Sequence, residues 1–134
     1  MAFTDAAEVQ KYLGGIFVAA FEDAEIGPKL KGTGIVLKTI YTDPESVVIV
    51  DTVNGIVTDE AGAKEDATAE MAMTADLGNA YWQGKVNLPL AMAKSKIKVQ
   101  GNVASLLKLA PLGKKLYPAY IETLKADGRD DLLV

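Results

Sequence analysis

The chain has 134 residues, of which 49% are hydrophobic and 24% charged, and it carries a formal net charge of −4; this length supports one domain, 1–134, with one full hydrophobic core. It contains no cysteine and no histidine, which removes thiolate nucleophiles, imidazole general bases, Ser-His-Asp triads and the usual zinc ligand sets, so no catalytic, metal or cofactor-binding residue is predicted. No apolar run approaches the ~20 residues that cross a bilayer, and Met1-Ala2-Phe3-Thr4-Asp5 lacks the pattern of a secretory signal, so a cytoplasmic location is expected.

Thr4 or Asp5 can cap a first helix. Along it Val9, Tyr12, Leu13, Ile16, Phe17, Ala20 and Phe21 recur at helical spacing as one wide apolar stripe. Such a stripe needs a broad partner and is expected to lie across a sheet. Gly27-Pro28 is expected to end the helix. Ile35 to Tyr41 reads as a strand, Asp43-Pro44 as a turn, and Val47 to Val50 as a central strand buried on both faces. Asn54-Gly55 predicts a tight two-residue hairpin of type I′ before a short strand at Ile56 to Thr58. Asp59 to Asp66 reads as an exposed loop. In Ala67 to Thr74 the residues Ala67, Ala69, Met71 and Met73 alternate with polar or small neighbours, the pattern of a half-buried strand.

Thr74 or Asp76 opens a short helix carrying Leu77, Ala80, Tyr81 and Trp82, and Asn87-Leu88-Pro89 opens another. Lys96 to Gln100 is the last strand. Gly101-Asn102 caps a helix lined by Val103, Leu106, Leu107 and Ala110, which Pro111 is expected to interrupt; a final helix carries Leu116, Tyr120, Ile121 and Leu124, closed by Asp127-Gly128. Strands and helices do not alternate regularly. The order therefore predicts an α+β domain: a mainly antiparallel sheet of five strands covered on one face by helices, the first and last helices on the same face.

Charge is unevenly spread. Up to Gly84 there are five basic against fourteen acidic residues, and from Lys85 onward nine against four. Lys94, Lys96 and Lys98, then Lys108, Lys114 and Lys115, offer contacts to a carboxylate, a phosphate or an anionic membrane surface. The plainer reading is that lysines keep an edge strand from pairing with another chain. Nucleic acid is not an expected partner, because the net charge is negative and no aromatic residues interleave with the lysines. The acidic run Asp59, Glu60, Glu65, Asp66 does not match calcium-loop spacing. Gly14-Gly15 lies inside the first helix, either for close packing on the sheet or to leave room for a ligand.

Val50-Asp51-Thr52-Val53-Asn54-Gly55, Glu65-Asp66-Ala67-Thr68, Asp76-Leu77, Gly84-Lys85-Val86-Asn87 and Lys96-Ile97-Lys98-Val99-Gln100-Gly101-Asn102 follow one another in the order and spacing of one known family. Through them the chain resembles the sterol carrier protein type-2 lipid-transfer family along nearly its whole length. It departs in having Val47 to Val50 where the family often has tryptophan, and Leu90, Met92 and Ser95 where it often has aromatic residues and a glycine. The resemblance implies a five-stranded sheet with an apolar cavity or tunnel between sheet and helices. It implies that a fatty acid, acyl-CoA, sterol or isoprenoid binds there, without covalent chemistry.

Met71, Met73, Leu77, Tyr81, Trp82, Leu90, Met92, Leu106 and Leu109 are the expected lining of that cavity, since methionines adapt to irregular apolar shapes. Phe17 and Phe21 are expected in the core proper. Two other functions fit the same residues: a non-catalytic accessory subunit presenting a hydrophobic intermediate, such as a quinone precursor, to biosynthetic enzymes, and a structural dimerisation module with a filled core.

Overall fold

In the computed structural model, which describes residues 2–134, Asp5 is the first cap: its carboxylate accepts from the Glu8 amide at 2.9 Å. The helical rod that follows runs through α1 (Ala6–Val9), a π-helical turn (Gln10–Gly14) and α2 (Gly15–Glu22). The rod stops earlier than Gly27-Pro28 predicted. Asp23 turns extended, and its carboxylate accepts from the Glu25 and Ile26 amides at 2.8 and 2.9 Å. Gly27 and Pro28 instead lie in the first turn of α3 (Ile26–Lys31), where proline's missing amide has no helical partner to lose.

The five strands are β1 (Val36–Thr42), β2 (Ser46–Asp51), β3 (Ile56–Thr58), β4 (Ala69–Thr74) and β5 (Lys98–Gly101), in the order β3-β2-β1-β4-β5. The expected count holds, but the sheet is mixed. β1–β2, β2–β3 and β4–β5 pair antiparallel, whereas β1 and β4 run parallel, with Leu37 opposite Ala69 and Tyr41 opposite Met73. The reason is the Asp59–Asp66 loop. It does not fold back as a hairpin; it carries the chain from the end of β3 to the far side of β1, so β4 starts at the same end as β1. Glu60 in this loop pairs with Lys38 on the outward side of β1 at 2.9 Å. β1 is therefore the middle strand, and β2 lies inside the sheet between β3 and β1, with Val48, Ile49 and Val50 buried as expected.

The Asn54-Gly55 turn also differs. Thr52 to Gly55 form a four-residue connection, and of these only Gly55 has a positive φ, 67°. The buried Asp51 carboxylate accepts from the Asn54 backbone and side-chain amides at 2.9 and 2.7 Å, which replaces the tight turn with a side-chain-closed one.

Short polar side chains start the next three helices. Thr74 caps α4 (Ala75–Tyr81), Asn87 caps α5 (Leu88–Ala93) and Asn102 caps α6 (Val103–Lys114), each accepting the amide three residues on. Pro111 lies inside α6 and does not end it. α7 (Tyr117–Ala126) follows, then a 3-10 turn at Asp130–Leu132. The side chain of Leu107 lies outside the described residues. α2 and α7 lie side by side along a groove lined by Ile16 and Ala20 on one side and by Ala119 and Tyr120 on the other. Both belong to the layer over the face of the sheet that carries Leu37, Tyr41, Met71 and Met73, as the two stripes predicted.

Buried polar bonds tie the chain's end to this layer. Tyr120 donates its hydroxyl to Asn79 Oδ1 at 2.6 Å, and Asn79 and Gln83 each donate a side-chain N–H to the Leu132 carbonyl at 2.8 Å. Arg129 reaches Glu8 at 3.0 Å and Asp131 at 3.0 Å, and its guanidinium lies 5.2 Å from the Tyr12 ring centre.

Candidate functional site

Between the layers lies an apolar pocket of about 90 Å³. Strand alternation supplies its floor: Leu37, Thr39 and Tyr41 of β1, Met71 and Met73 of β4, and Val99 of β5 share one face because β1 and β4 pair in register. Phe17 of α2 and Leu30 of α3 close one side. The roof is α5, through Leu88 and Met92, and α6, through Val103, Leu106 and Leu109.

Phe17, Tyr81 and Trp82 form the end wall, with Tyr117 packed behind the last two. Trp82, which ends α4, meets Phe17 edge-on at 5.0 Å between ring centres, Tyr81 at 5.2 Å and Tyr117 at 6.0 Å. Edge-to-face pairs of this kind hold their geometry better than area burial alone would. The indole is 9% exposed, and its six-membered ring lies against Gly113.

The lining contains no carboxylate and no ammonium. Its only polar side-chain groups are the Thr39 hydroxyl, the Tyr41 and Tyr81 phenols and the indole N–H. Burial pushes the Tyr81 phenol up to about 12, with Tyr117 adding to it, and burial pushes Tyr41 further still. Both are neutral donors near pH 7 and no use as bases. Among the described residues no group of three acidic side chains is placed to hold a metal ion, and no helix is long and apolar enough to cross a membrane.

Of the nine residues named as the lining of a ligand cavity, seven border this small pocket together: Met71, Met73, Tyr81, Trp82, Met92, Leu106 and Leu109. Leu77 is half-buried against the core outside the pocket, since α4 turns Ala75, Gly78 and Asn79 inward. Leu90 is 51% exposed and points away from it. Phe17, assigned to the core, lines the pocket, whereas Phe21 does not. The β1 residues Leu37, Thr39 and Tyr41 were missed. Their alternation was visible in the sequence, but nothing local said that β1 lies beside β4. Of the two glycines, Gly14 faces Gln10 and Val57 of β3, where an added Cβ would come within 3.2 and 3.4 Å of them, and Gly15 faces open space at the α2–α7 groove, outside the pocket. Lys98 pairs opposite Ala72 on the outward side of the edge strand β5, away from the pocket.

The volume sets a limit on what this form can hold. Cavities of ~150 Å³ take a benzene-sized guest, and pockets for larger ligands span roughly 300–1,000 Å³. At about 90 Å³ the pocket is almost wholly apolar and smaller than either.

No protein-family model matches the sequence, and no curated protein does. The fold does have relatives among solved structures. A sterol carrier protein domain 2 from Helicoverpa armigera superposes with a TM-score of 0.68 at 22% identity, over 82% of this chain and 88% of that one. UbiJ-SCP2, a ubiquinone synthesis protein, matches with a TM-score of 0.57 at 14% identity, over 78% and 94%. Sterol Carrier Protein-2 from Aedes aegypti, solved in complex with the C16 fatty acid palmitate, matches with a TM-score of 0.54 at 21% identity, over 75% and 94%. The chain has the fold of sterol carrier protein 2 domains.

Proposed function

We propose that this protein binds a single apolar, lipid-like molecule of the fatty-acid, acyl-CoA or sterol class between sheet and helices and carries it without chemical change. The observation that carries the reading is the pocket itself: a site walled by apolar side chains, with neutral donors only, at the interface of the two layers. The palmitate bound by the Aedes aegypti protein supports the same reading for this fold. Each buried methylene contributes about 0.8 kcal/mol, so a long acyl chain binds tightly without a specific polar contact. Loading requires the roof to lift. α5 has only six residues and α6 lacks one helical hydrogen bond at Pro111, so this roof relies mainly on packing to hold it in place.

Titration with a fluorescent fatty acid, followed by Trp82 emission, is the test. Saturable binding at one site is expected. Leu106→Glu, checked for native secondary structure, should weaken it about a hundredfold or more, because a carboxylate in an apolar pocket costs several kcal/mol. Absence of saturable binding by the parent, or parent-like binding by the folded variant, refutes the reading. The UbiJ-SCP2 likeness favours one other role for the same cavity, presentation of a hydrophobic quinone precursor to biosynthetic enzymes; retention of such enzymes by the tagged protein would distinguish it.

A further inference from the structure

α5 breaks the usual rule for an exposed helix. Its sequence, Leu88-Pro89-Leu90-Ala91-Met92-Ala93, has no polar side chain on any face. A helix apolar all round belongs in a core or a bilayer, yet only Ala91 of α5 is buried. Leu90 is 51% and Met92 37% exposed, and Pro89 and Ala93 are exposed too. Val103 at the start of α6, 45% exposed, shares the pocket rim with Met92. The apolar surface is thus continuous with the mouth of the pocket.

The charge flanking it along the chain has one sign. From Leu77 to Ile121 the chain carries seven lysines and no acidic residue, while the rest carries seven basic against eighteen acidic residues. Lys85 precedes α5, Lys94 and Lys96 follow it, and Lys108 stands on α6; all four are exposed. Ile97, 1% exposed, donates its backbone N–H to the Ala91 carbonyl at 3.3 Å, which ties α5 to the start of β5 in the closed form.

We infer that α5, with the rim residue Val103 and the lysines flanking it, docks on an anionic lipid surface and places the pocket mouth against the membrane. Leu90, Met92 and Val103 would enter the acyl boundary while the lysines meet the headgroups, each worth on the order of a fivefold change in partitioning near an anionic leaflet. The acidic residues elsewhere in the chain are repelled by the same leaflet, which favours docking through this lysine-flanked segment. This builds on the lipid-binding reading for its purpose, but it is measured without any ligand.

The experiment is flotation of the full chain, in ~0.1 M salt, with vesicles of phosphatidylcholine alone and with about 30% phosphatidylglycerol. Binding to the anionic vesicles only is expected, lost at high salt. Lys94→Gln/Lys96→Gln should lower the partition coefficient about thirtyfold. Leu90→Asp, at a position outside the pocket, should lower it at least tenfold and leave fatty-acid titration unchanged. Equal binding to neutral and anionic vesicles, or parent-like binding by either variant, overturns the inference. So does retention of polyglutamate as strong as that of anionic vesicles and insensitive to Leu90→Asp, which would assign the face to an acidic protein. Vesicle docking without saturable fatty-acid binding would leave this inference standing and sink the proposed function instead.

Discussion

Ser95 stands between α5 and β5 with φ 58°, in the left-handed region that favours glycine. A non-glycine residue there costs roughly 1 kcal/mol. Ser95→Gly is expected to stabilise the fold by about 0.5–1 kcal/mol, raising Tm by roughly 2–6 °C in a thermal melt; an unchanged or lower Tm refutes this. Gly78→Ala should act in the opposite direction. Its Cβ would sit 2.5 Å from Cε1 of Tyr41, a ring 3% exposed with nowhere to move, at a cost of about 1–3 kcal/mol. Single residues were legible in the sequence where their role is local: Asp5, Thr74, Asn87 and Asn102 cap helices because a short polar side chain can satisfy an amide three residues on, whatever surrounds it. Leu90 was misplaced for the complementary reason. A helix with no polar side has no periodicity, so the sequence cannot tell which of its faces is inside.

Among the elements, α5 and α6 should be the least protected parts of the pocket. In amide hydrogen exchange, their amides are expected to exchange at least tenfold faster than those of β1 and β2, and to slow when palmitate is added. Protection of α5 equal to that of β1 in the free protein would mean that the roof does not lift, and loading would need another route. Elements were readable as far as their own periodicity reached. All five strands and the capped helices follow from alternation and caps, but the end of the first helix does not. Asp23 terminates it with a side-chain turn, a signal weaker on paper than Gly27-Pro28.

At the scale of the molecule, the pairing of strands was not in the sequence pattern. The same five strands satisfy an antiparallel meander equally well; the parallel β1–β4 pair exists because the Asp59–Asp66 loop crosses over, a fact about chain path and not about any residue type. The molecule's pH response follows from its charges. Arg129 holds the Asp131 carboxyl below its ordinary 3.8, and the Ile26 and Glu25 amides do the same for Asp23. Carboxyls depressed on folding stabilise above their unfolded pKa and lose that contribution as pH falls through it and below. Without histidine, no side chain of ordinary pKa titrates between about pH 5 and 8. Tm should therefore be flat from about pH 8 to 5 and fall below about pH 4, less steeply in Asp131→Asn; a step near pH 6 would contradict this account.

The crossover also dictates a timetable. β1, β2 and β3 are joined by short turns and can assemble as soon as they exist, since local contacts form fastest. The second edge of β1 must wait for residues 69–74, so a chain emerging from synthesis passes through a stage with a long strand edge open beside Leu37 and Tyr41. Unpaired edges of this kind recruit other chains. The pairing that closes this edge of β1 is the same one that delivers Met71 and Met73, so the edge is covered in the step that brings the β4 part of the pocket floor into place.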